Sequence, residues 1–387
     1  MLRTSRGGTA ALLLLGGVGI VGLRDPRGIR PLCFGQLKAD GDDERVLAYA
    51  AASESSAFCA QGFDLVRDVA KGEAVIFSGS ARDGGGLHVR SLRLPTTAAQ
   101  PFRPCIFEYI YMARPDSVLD GVEVYAARKN MGTELGRLLR SRKYGREDDD
   151  GVDADSVIDV VVPVPDTSRV CALTCASILG VPYEEGLTKT RHIARTFIMS
   201  SEQGGPETTR SAAVRKKLAP VASVLRGKRV LLVDDSIVRG STAAAIVDML
   251  RGAGCRSVHF ASSAPPVLFP NFYGIDLPTG DDLIARHAIK EFARAPTAAA
   301  AADLDMRMED IVGPCVASVI GADSVVFQRL TGLRKAVNDA RQGGPELEFE
   351  ESMFTGSYPA GRPRGDDGSS AAFDASDLEG IASIDVV

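Results

Sequence analysis

The run from Arg229 to Thr242, RVLLVDDSIVRGST, constrains the fold of this chain more than any other stretch. Val230 to Val233 carry no polar side chain, which predicts a strand covered on both faces, as in a parallel sheet. Asp234 and Asp235 fall at its carboxyl end, where open α/β sheets bind ligands. Ile246, Met249, Leu250 and Ala253 follow at helical spacing, so residues 236–242 form a turn at a helix N-terminus, with free backbone N–H groups and the positive end of a dipole. An anion fits there. Ser257 to Ala261 supply the next strand and complete a strand-turn-helix-strand unit. The turn contains no Gly-Lys-Ser/Thr and no GxGxxG, so neither a Walker loop nor a dinucleotide fingerprint is implied. Adjacent acids beside a hydroxyl-rich turn suit a ligand with ribose hydroxyls on one side and a phosphate on the other; taken alone, the pair also reads as solvated acids capping a helix.

A chain of 387 residues with 45% apolar content can bury two ordinary domains. Its 45 Lys and Arg against 50 Asp and Glu leave a net charge of −5, which gives no general attraction to DNA or to an acidic membrane, and no nucleic-acid motif is present. Seven irregularly spaced cysteines are no disulfide framework and fit a reducing, cytoplasmic compartment. Cys171 and Cys175 lie one helical turn apart without nearby His and read as small core residues.

From the N-terminus, Arg3 and Arg6 precede the apolar run TAALLLLGGVGIVGL, which has the outline of a secretory signal or of two short strands joined at Gly16-Gly17. No small-x-small cleavage site follows, and the run is too short and Gly-rich to span a bilayer, so the strands are expected. Further strands are expected at Val18 to Leu23, Pro31 to Gly35, Val46 to Ala51 and Ala74 to Ser78, with turns at Asp40-Gly41 and Gly84 to Gly86. Val124 to Leu139 read as a helix, and residues 146–155 as a charged, turn-prone linker. Val157 to Val162 give a strand; Asp166, Thr167 and Ser168 then cap a helix from Arg169 to Leu179, which Gly180 ends. Lys189, Arg191 and Arg195 cluster before an apolar end, a pattern usual for a solvated face. His259 and His287 lack ligand spacing and are expected at surface or edge positions. Residues 285–305, rich in Ala, are expected on the surface, and the tail from about 360, Gly/Ser/Asp-rich over 365–376, is expected to be disordered.

The whole string from Arg229 to Thr242 resembles the phosphoribosyl pyrophosphate motif of the type I phosphoribosyltransferases. Its continuation ASSAPPVLFPNFYGIDLPT (261–279), with RDPRGIRPL (24–32), FEYIYMARPDS (107–117), VVPVPDTS (161–168), RTFIM (195–199) and IGADSVVFQ (320–328), is similar to the amidophosphoribosyltransferases over about residues 10–357. That resemblance implies an α/β type I phosphoribosyltransferase fold, a parallel sheet flanked by helices, over residues 105–335. A partial, β-rich glutaminase domain of the N-terminal-nucleophile class would precede it at 1–104, lacking its first half, and a C-terminal extension would follow at 336–387. Residues 107–139 correspond to the family's interdomain connector. The family's nucleophile is an N-terminal Cys whose own amine is the base. This sequence opens Met1-Leu2-Arg3, and Cys33 and Cys59 are internal and expected to serve packing, so no glutaminase nucleophile is expected.

The family's reaction joins phosphoribosyl pyrophosphate to ammonia drawn from glutamine, giving phosphoribosylamine and pyrophosphate at the opening of purine biosynthesis. The resemblance places phosphoribosyl pyrophosphate on Asp166, Thr167, Ser168, Lys189, Arg195 and the span Asp234, Asp235, Ser236, Ile237, Val238, Arg239, Gly240, Ser241 and Thr242. It places one Mg²⁺ on Ser168, Asp234 and Asp235. Arg239 is open between phosphate partner and surface charge. Thr190 and Ala194 depart from the family's Asn and Gly, and residues 200–213 are longer and less basic than its flexible loop, with Ala212 where Lys is common. Some members hold an iron-sulfur cluster on four Cys; here only Cys105 matches, Asn271 replaces another, and ESMFTGSYP (351–359) has none, so no cluster is expected. The family further implies homo-oligomers and inhibition by purine nucleotides. The alternatives are a sensor that binds phosphoribosyl pyrophosphate without turnover, which need not keep Ser168, Lys189 and Arg195, and an inactive gene fragment whose half domain exposes an apolar face.

Overall fold

The computed structural model describes residues 7–39, 45–79, 86–93, 99–190, 214–277, 282–294 (backbone only for 291–294) and 308–362. The expected turn at Asp40-Gly41, most of that at Gly84 to Gly86, Arg191, Arg195, the 200–213 loop and the tail from 363 lie outside these residues.

The N-terminal part is two facing antiparallel sheets. Strands β1 (Ala10–Leu15), β2 (Gly19–Arg24), β3 (Cys33–Lys38), β4 (Val46–Ala52), β5 (Asp64–Asp68), β6 (Glu73–Gly79) and β7 (Leu87–Arg93) are ordered β1-β2-β6-β7 and β4-β3-β5. The apolar run near the N-terminus is a hairpin, with Leu15 opposite Gly19 and Gly17 at φ +73° in the turn. Inward residues alternate along each strand, so Val75 and Phe77 meet Leu32 and Phe34, with the Phe34 and Phe77 rings edge to face at 5.4 Å. β5 and β7 escaped the sequence reading because edge strands leave one side unpaired and carry polar residues, as in DLVRD and LHVRSLR.

RDPRGIRPL forms the joint to the rest of the chain. Arg24 is fully buried and grips Asp120 through both guanidinium ends at 2.7 and 2.8 Å, while donating to the carbonyls of Gly28, Arg30 and Val69. The Asp25 carboxylate accepts the backbone N–H groups of Arg27, Ile29 and Arg30. A charge buried this deeply is tolerable only with such full satisfaction.

The hairpin β8 (Val118–Leu119) and β9 (Val122–Glu123) leads into helix α1 (Val124–Ser141). Next come β10 (Val160–Pro163), α2 (Arg169–Leu179), the antiparallel pair β11 (Leu187–Lys189) and β12 (Leu218–Pro220), β13 (Arg229–Asp234), α3 (Ser241–Gly252) and β14 (Ser257–Ser262). Then follow α4 (Ile284–Arg294), α5 (Met308–Ile320), β15 (Ser324–Phe327) and α6 (Leu330–Asn338). β10, β13, β14 and β15 form one parallel sheet in that order.

The sheet is covered on both faces, as the unbroken apolar run predicts. Val161, Leu231, Val233, Ala261 and Val326 join a core with α1, α2 and α6. Their neighbours Val162, Val230, Leu232, Phe260 and Phe327 join a second core with α3, α4 and α5. Val230 to Val233 are fully buried, which contributes about 1.5–3 kcal/mol per side chain. α1 and α2 touch backbone to side chain: a Cβ on Gly132 would lie 2.3 Å from the Cys171 carbonyl oxygen, and one on Gly136 would lie 2.8 Å from Ile178 Cβ. Gly at both positions, one turn apart, permits this approach.

Four expectations are corrected. The Ala-rich segment does not start on the surface: Ala285, Ala288 and Ile289 of α4 are buried in the second core because they recur at helical spacing. His259 is buried, not at an edge; it bridges the hydroxyls of Ser257 and Ser324 at 3.0 and 2.9 Å and stacks edge-on with Tyr144. Cys59 is exposed, whereas Cys33 is in the core. Ser168 stands at the N-cap of α2 but makes no capping hydrogen bond, because its hydroxyl is turned elsewhere.

Candidate active site

Ser168 Oγ donates to Asp234 Oδ1 at 3.1 Å, across 66 residues of sequence. That bond explains the missing cap: the hydroxyl at the end of β10 is used against the acid at the end of β13, its parallel neighbour. Asp234 Oδ1 also accepts the Asp235 N–H at 2.8 Å, and Asp235 Oδ1 accepts the Ser236 hydroxyl at 2.8 Å. The Thr167 hydroxyl donates to Asp235 as well. From β14, Ser263 N–H donates to the Asp234 carbonyl at 2.9 Å and Ser263 Oγ to the Asp235 carbonyl at 3.2 Å.

Burial raises the Asp234 carboxyl well above the ordinary carboxylate range, and the charge of Asp235 pushes the same way. Burial also raises Asp235; the hydroxyls of Ser236 and Thr167 and the Arg128 guanidinium hold it down. Two adjacent acids kept this close, with no salt bridge among the described residues, store repulsion that a cation relieves.

After the acids the chain turns through 236–240. Ile237 is buried in the second core and Val238 packs on the first, so these residues offer a ligand their backbone only. Gly240 has φ +78°, and a Cβ there would lie 2.1 Å from Ile284 Cδ1. Ile284 N–H donates to the Val238 carbonyl at 3.0 Å, so α4 braces the turn. Ser241 and Thr242 open α3 half-buried, and Arg239 is exposed at the tip. In the neighbouring loop the Pro165–Asp166 peptide is cis, and exposed Asp166 pairs with Lys189 of β11 and with Arg169. The structure thus gathers Asp166, Thr167, Ser168 and Lys189 with Asp234 to Thr242 at the carboxyl end of one sheet, while Arg195 lies outside the described residues.

One residue of this region went unnoticed in the sequence. Arg128 of α1 is 4% exposed; its Nε donates to the Tyr109 carbonyl at 2.9 Å and its Nη2 to the Ala113 carbonyl at 2.7 Å. The available signal was a lone Arg on the apolar stripe of Val124, Ala127, Met131 and Leu135.

The acids and the Ser168 hydroxyl are hard oxygen donors, a set that fits Mg²⁺ shared with a polyphosphate; no group of three or more His, Cys, Asp or Glu with metal-binding geometry occurs among the described residues. The Cys105 thiol, the Asn271 amide and the Ser352 hydroxyl all hydrogen-bond the buried Glu350 carboxylate, so that volume holds a closed polar network.

Residues 141–265 match the phosphoribosyl transferase domain family. The chain is 41% identical over 359 residues to an amidophosphoribosyltransferase of Pseudomonas aeruginosa, covering 92% of this chain and 60% of the relative. It is 42% identical to that of Escherichia coli (92% and 60%) and 40% to that of Saccharomyces cerevisiae (93% and 61%). Among solved structures, the glutamine phosphoribosylpyrophosphate amidotransferase of B. subtilis, complexed with ADP and GMP, superposes with a TM-score of 0.65 at 35% identity, over 91% of this chain and 64% of that one. A structure titled as the allosteric regulatory enzyme of purine biosynthesis gives 0.67 at 36% identity (92% and 64%). The chain spans 60% of the length of its Pseudomonas and Escherichia relatives and over that span is similar to the amidophosphoribosyltransferases.

Proposed function

We propose that the chain transfers the phosphoribosyl group of phosphoribosyl pyrophosphate to ammonia, giving phosphoribosylamine and pyrophosphate, the opening reaction of purine biosynthesis. The observation that carries this reading is the convergence of Ser168, Asp234 and Asp235 beside the Gly240 turn. The ammonia lone pair forms the bond to the anomeric carbon, the bond to the pyrophosphate oxygen breaks with its electrons, and nitrogen sheds a proton. Charge grows on the leaving oxygens and on the sugar ring, so the site needs positioning and electrostatics more than a protein nucleophile.

Asp234 and Asp235 hold the ribose hydroxyls. The N–H groups of 236–242, with the Ser241 and Thr242 hydroxyls and Arg239 at the tip, wrap the 5-phosphate. Asp166, Thr167 and Ser168 form the pyrophosphate loop, with Lys189, and Arg195 from the covering segment, supplying positive charge. Ser168, Asp234 and Asp235 would hold one Mg²⁺, which neutralises pyrophosphate charge when bound. Keeping Ser168 and Lys189 in contact with the acids of the site disfavours a sensor that never turns over.

On this reading the phosphoribosyltransferase unit runs from about 105 to 335, between the glutaminase-type layer and the C-terminal extension. We further infer that purine nucleotides bind this chain as inhibitors and that it forms homo-oligomers; the ADP and GMP of the B. subtilis complex support nucleotide binding. Seven free thiols suit a reducing cytoplasm. The test is pyrophosphate release from phosphoribosyl pyrophosphate and Mg²⁺, first with ammonium salt, then with glutamine. Turnover with ammonium is expected; no release with either nitrogen source overturns the reading.

A further inference from the structure

Arg128 stands out because its hydrogen bonds go to neutral acceptors. Both donate to carbonyls, Tyr109 and Ala113, yet the side chain is buried, and a buried guanidinium is costly without a counter-charge. The opposite charge that acts on it most strongly is Asp235, followed by Glu54.

The surrounding contacts fix this relation. One turn beyond Arg128, Gly132 sits against the Cys171 carbonyl, which pins α1 to the start of α2, the helix that Ser168 opens. The Cys171 thiol bonds Ser263, whose hydroxyl donates to the Asp235 carbonyl. On the other side, Arg128 fastens residues 109–113, and the following turn is clamped by Glu54 of the N-terminal layer, which accepts the Arg114 N–H at 2.7 Å and the Ser117 hydroxyl at 2.9 Å.

We propose that Arg128 is a positioning residue for phosphoribosyl transfer: from the helix that Gly132 packs on Cys171 it lends a fixed positive charge to the Asp234-Asp235 pair and ties that pair to the 109–117 turn held by Glu54. The inference rests on the phosphoribosyl-transfer reading. It assigns to Arg128 no contact with substrate; the charge keeps the acids in place while they take up the ribose hydroxyls.

The test compares Arg128→Lys, Arg128→Gln and Arg128→Met in the full chain, by pyrophosphate release with ammonium and by thermal melting. Gln keeps an amide donor near the Nε position, where it can reach the Tyr109 carbonyl, but lacks the charge and the bond to Ala113; Lys keeps the charge. We expect folded Arg128→Gln and Arg128→Met to lose about 100-fold in kcat/KM, and Arg128→Lys to recover to within about ten-fold of wild type. A Gln variant as fast as wild type, or Lys no better than Gln, overturns the proposal, since carbonyl satisfaction alone would then be the role. Should the Arg128 variants not fold, Glu54→Ala on the half-buried N-terminal layer, which removes the acceptor of both clamp bonds, decides: slower turnover supports the tie, and the wild-type rate overturns it. A wild-type chain that releases no pyrophosphate defeats the transfer reading itself; a wild-type chain that turns over beside an equally fast Arg128→Gln defeats this inference alone.

Discussion

Gly240→Ala is the sharpest perturbation of the turn that receives the 5-phosphate. At φ +78° a side chain costs about 1–2 kcal/mol through the left-handed backbone alone. The new Cβ would also sit 2.1 Å from Ile284 Cδ1 and 3.2 Å from its Cβ, so the buried Ile284 side chain must turn aside, and overpacking of this kind costs about 1–3 kcal/mol. Together these give about 2–5 kcal/mol, measured as the shift in unfolding free energy by urea titration. The two parts separate in a double-mutant cycle. Ile284→Ala removes Cδ1 and Cγ1, the two atoms nearest the new methyl, so the double variant should be more stable than the sum of the single losses by about 1–3 kcal/mol, leaving the backbone part. Gly240→Ala within about 0.5 kcal/mol of wild type, or strict additivity with Ile284→Ala, would refute the reasoning.

Asp234→Asn with Asp235→Asn should abolish pyrophosphate release while the melting temperature holds or rises, because two half-buried carboxylates that desolvation and mutual repulsion push up no longer have to be charged; near-normal turnover would remove their role. Gly132→Ala should weaken the α1–α2 contact by about 1–3 kcal/mol, since the added Cβ meets a backbone oxygen at 2.3 Å, and an unchanged urea midpoint would contradict that packing. The Asp68 carboxyl is raised to about 7 by burial and by the charge of Asp120. Its folded value lies above its unfolded value of about 3.9, so the stability it contributes is present at low pH and declines as pH rises from about 4 to about 7. Asp68→Asn should therefore melt above wild type at pH of about 8 and lose that advantage near pH 4, with the reverse order contradicting the assignment.

Much of the fold was legible because its signals are local. Val230 to Val233 announce a strand covered on both faces, Gly180 ends α2 in the left-handed conformation, and the hairpin of the N-terminal run follows from Gly16-Gly17 between two apolar segments. What escaped depends on partners distant in sequence. Ser168 reads as a helix cap until β10 is laid beside β13, when its hydroxyl finds Asp234. His259 reads as an edge residue until Ser324 and Tyr144 enclose it, and the Ala-rich start of α4 reads as surface until Ile284 is seen bracing Gly240. Edge strands β5 and β7 carry too little apolar alternation to be distinguished from loops. Arg128 is the clearest omission: a charge on an apolar helix stripe signals a buried partner, but only the fold brings the Tyr109 and Ala113 carbonyls to it.

The central claim is that the acids closing β13 and the turn beyond them grip an activated sugar. Isothermal titration of phosphoribosyl pyrophosphate with Mg²⁺ into the full chain tests it directly, beside the chain carrying Asp234→Asn and Asp235→Asn. The account predicts saturable heat for the wild type and none for the double variant. A wild type indifferent to the ligand at millimolar levels, or a double variant that binds as tightly, would contradict it.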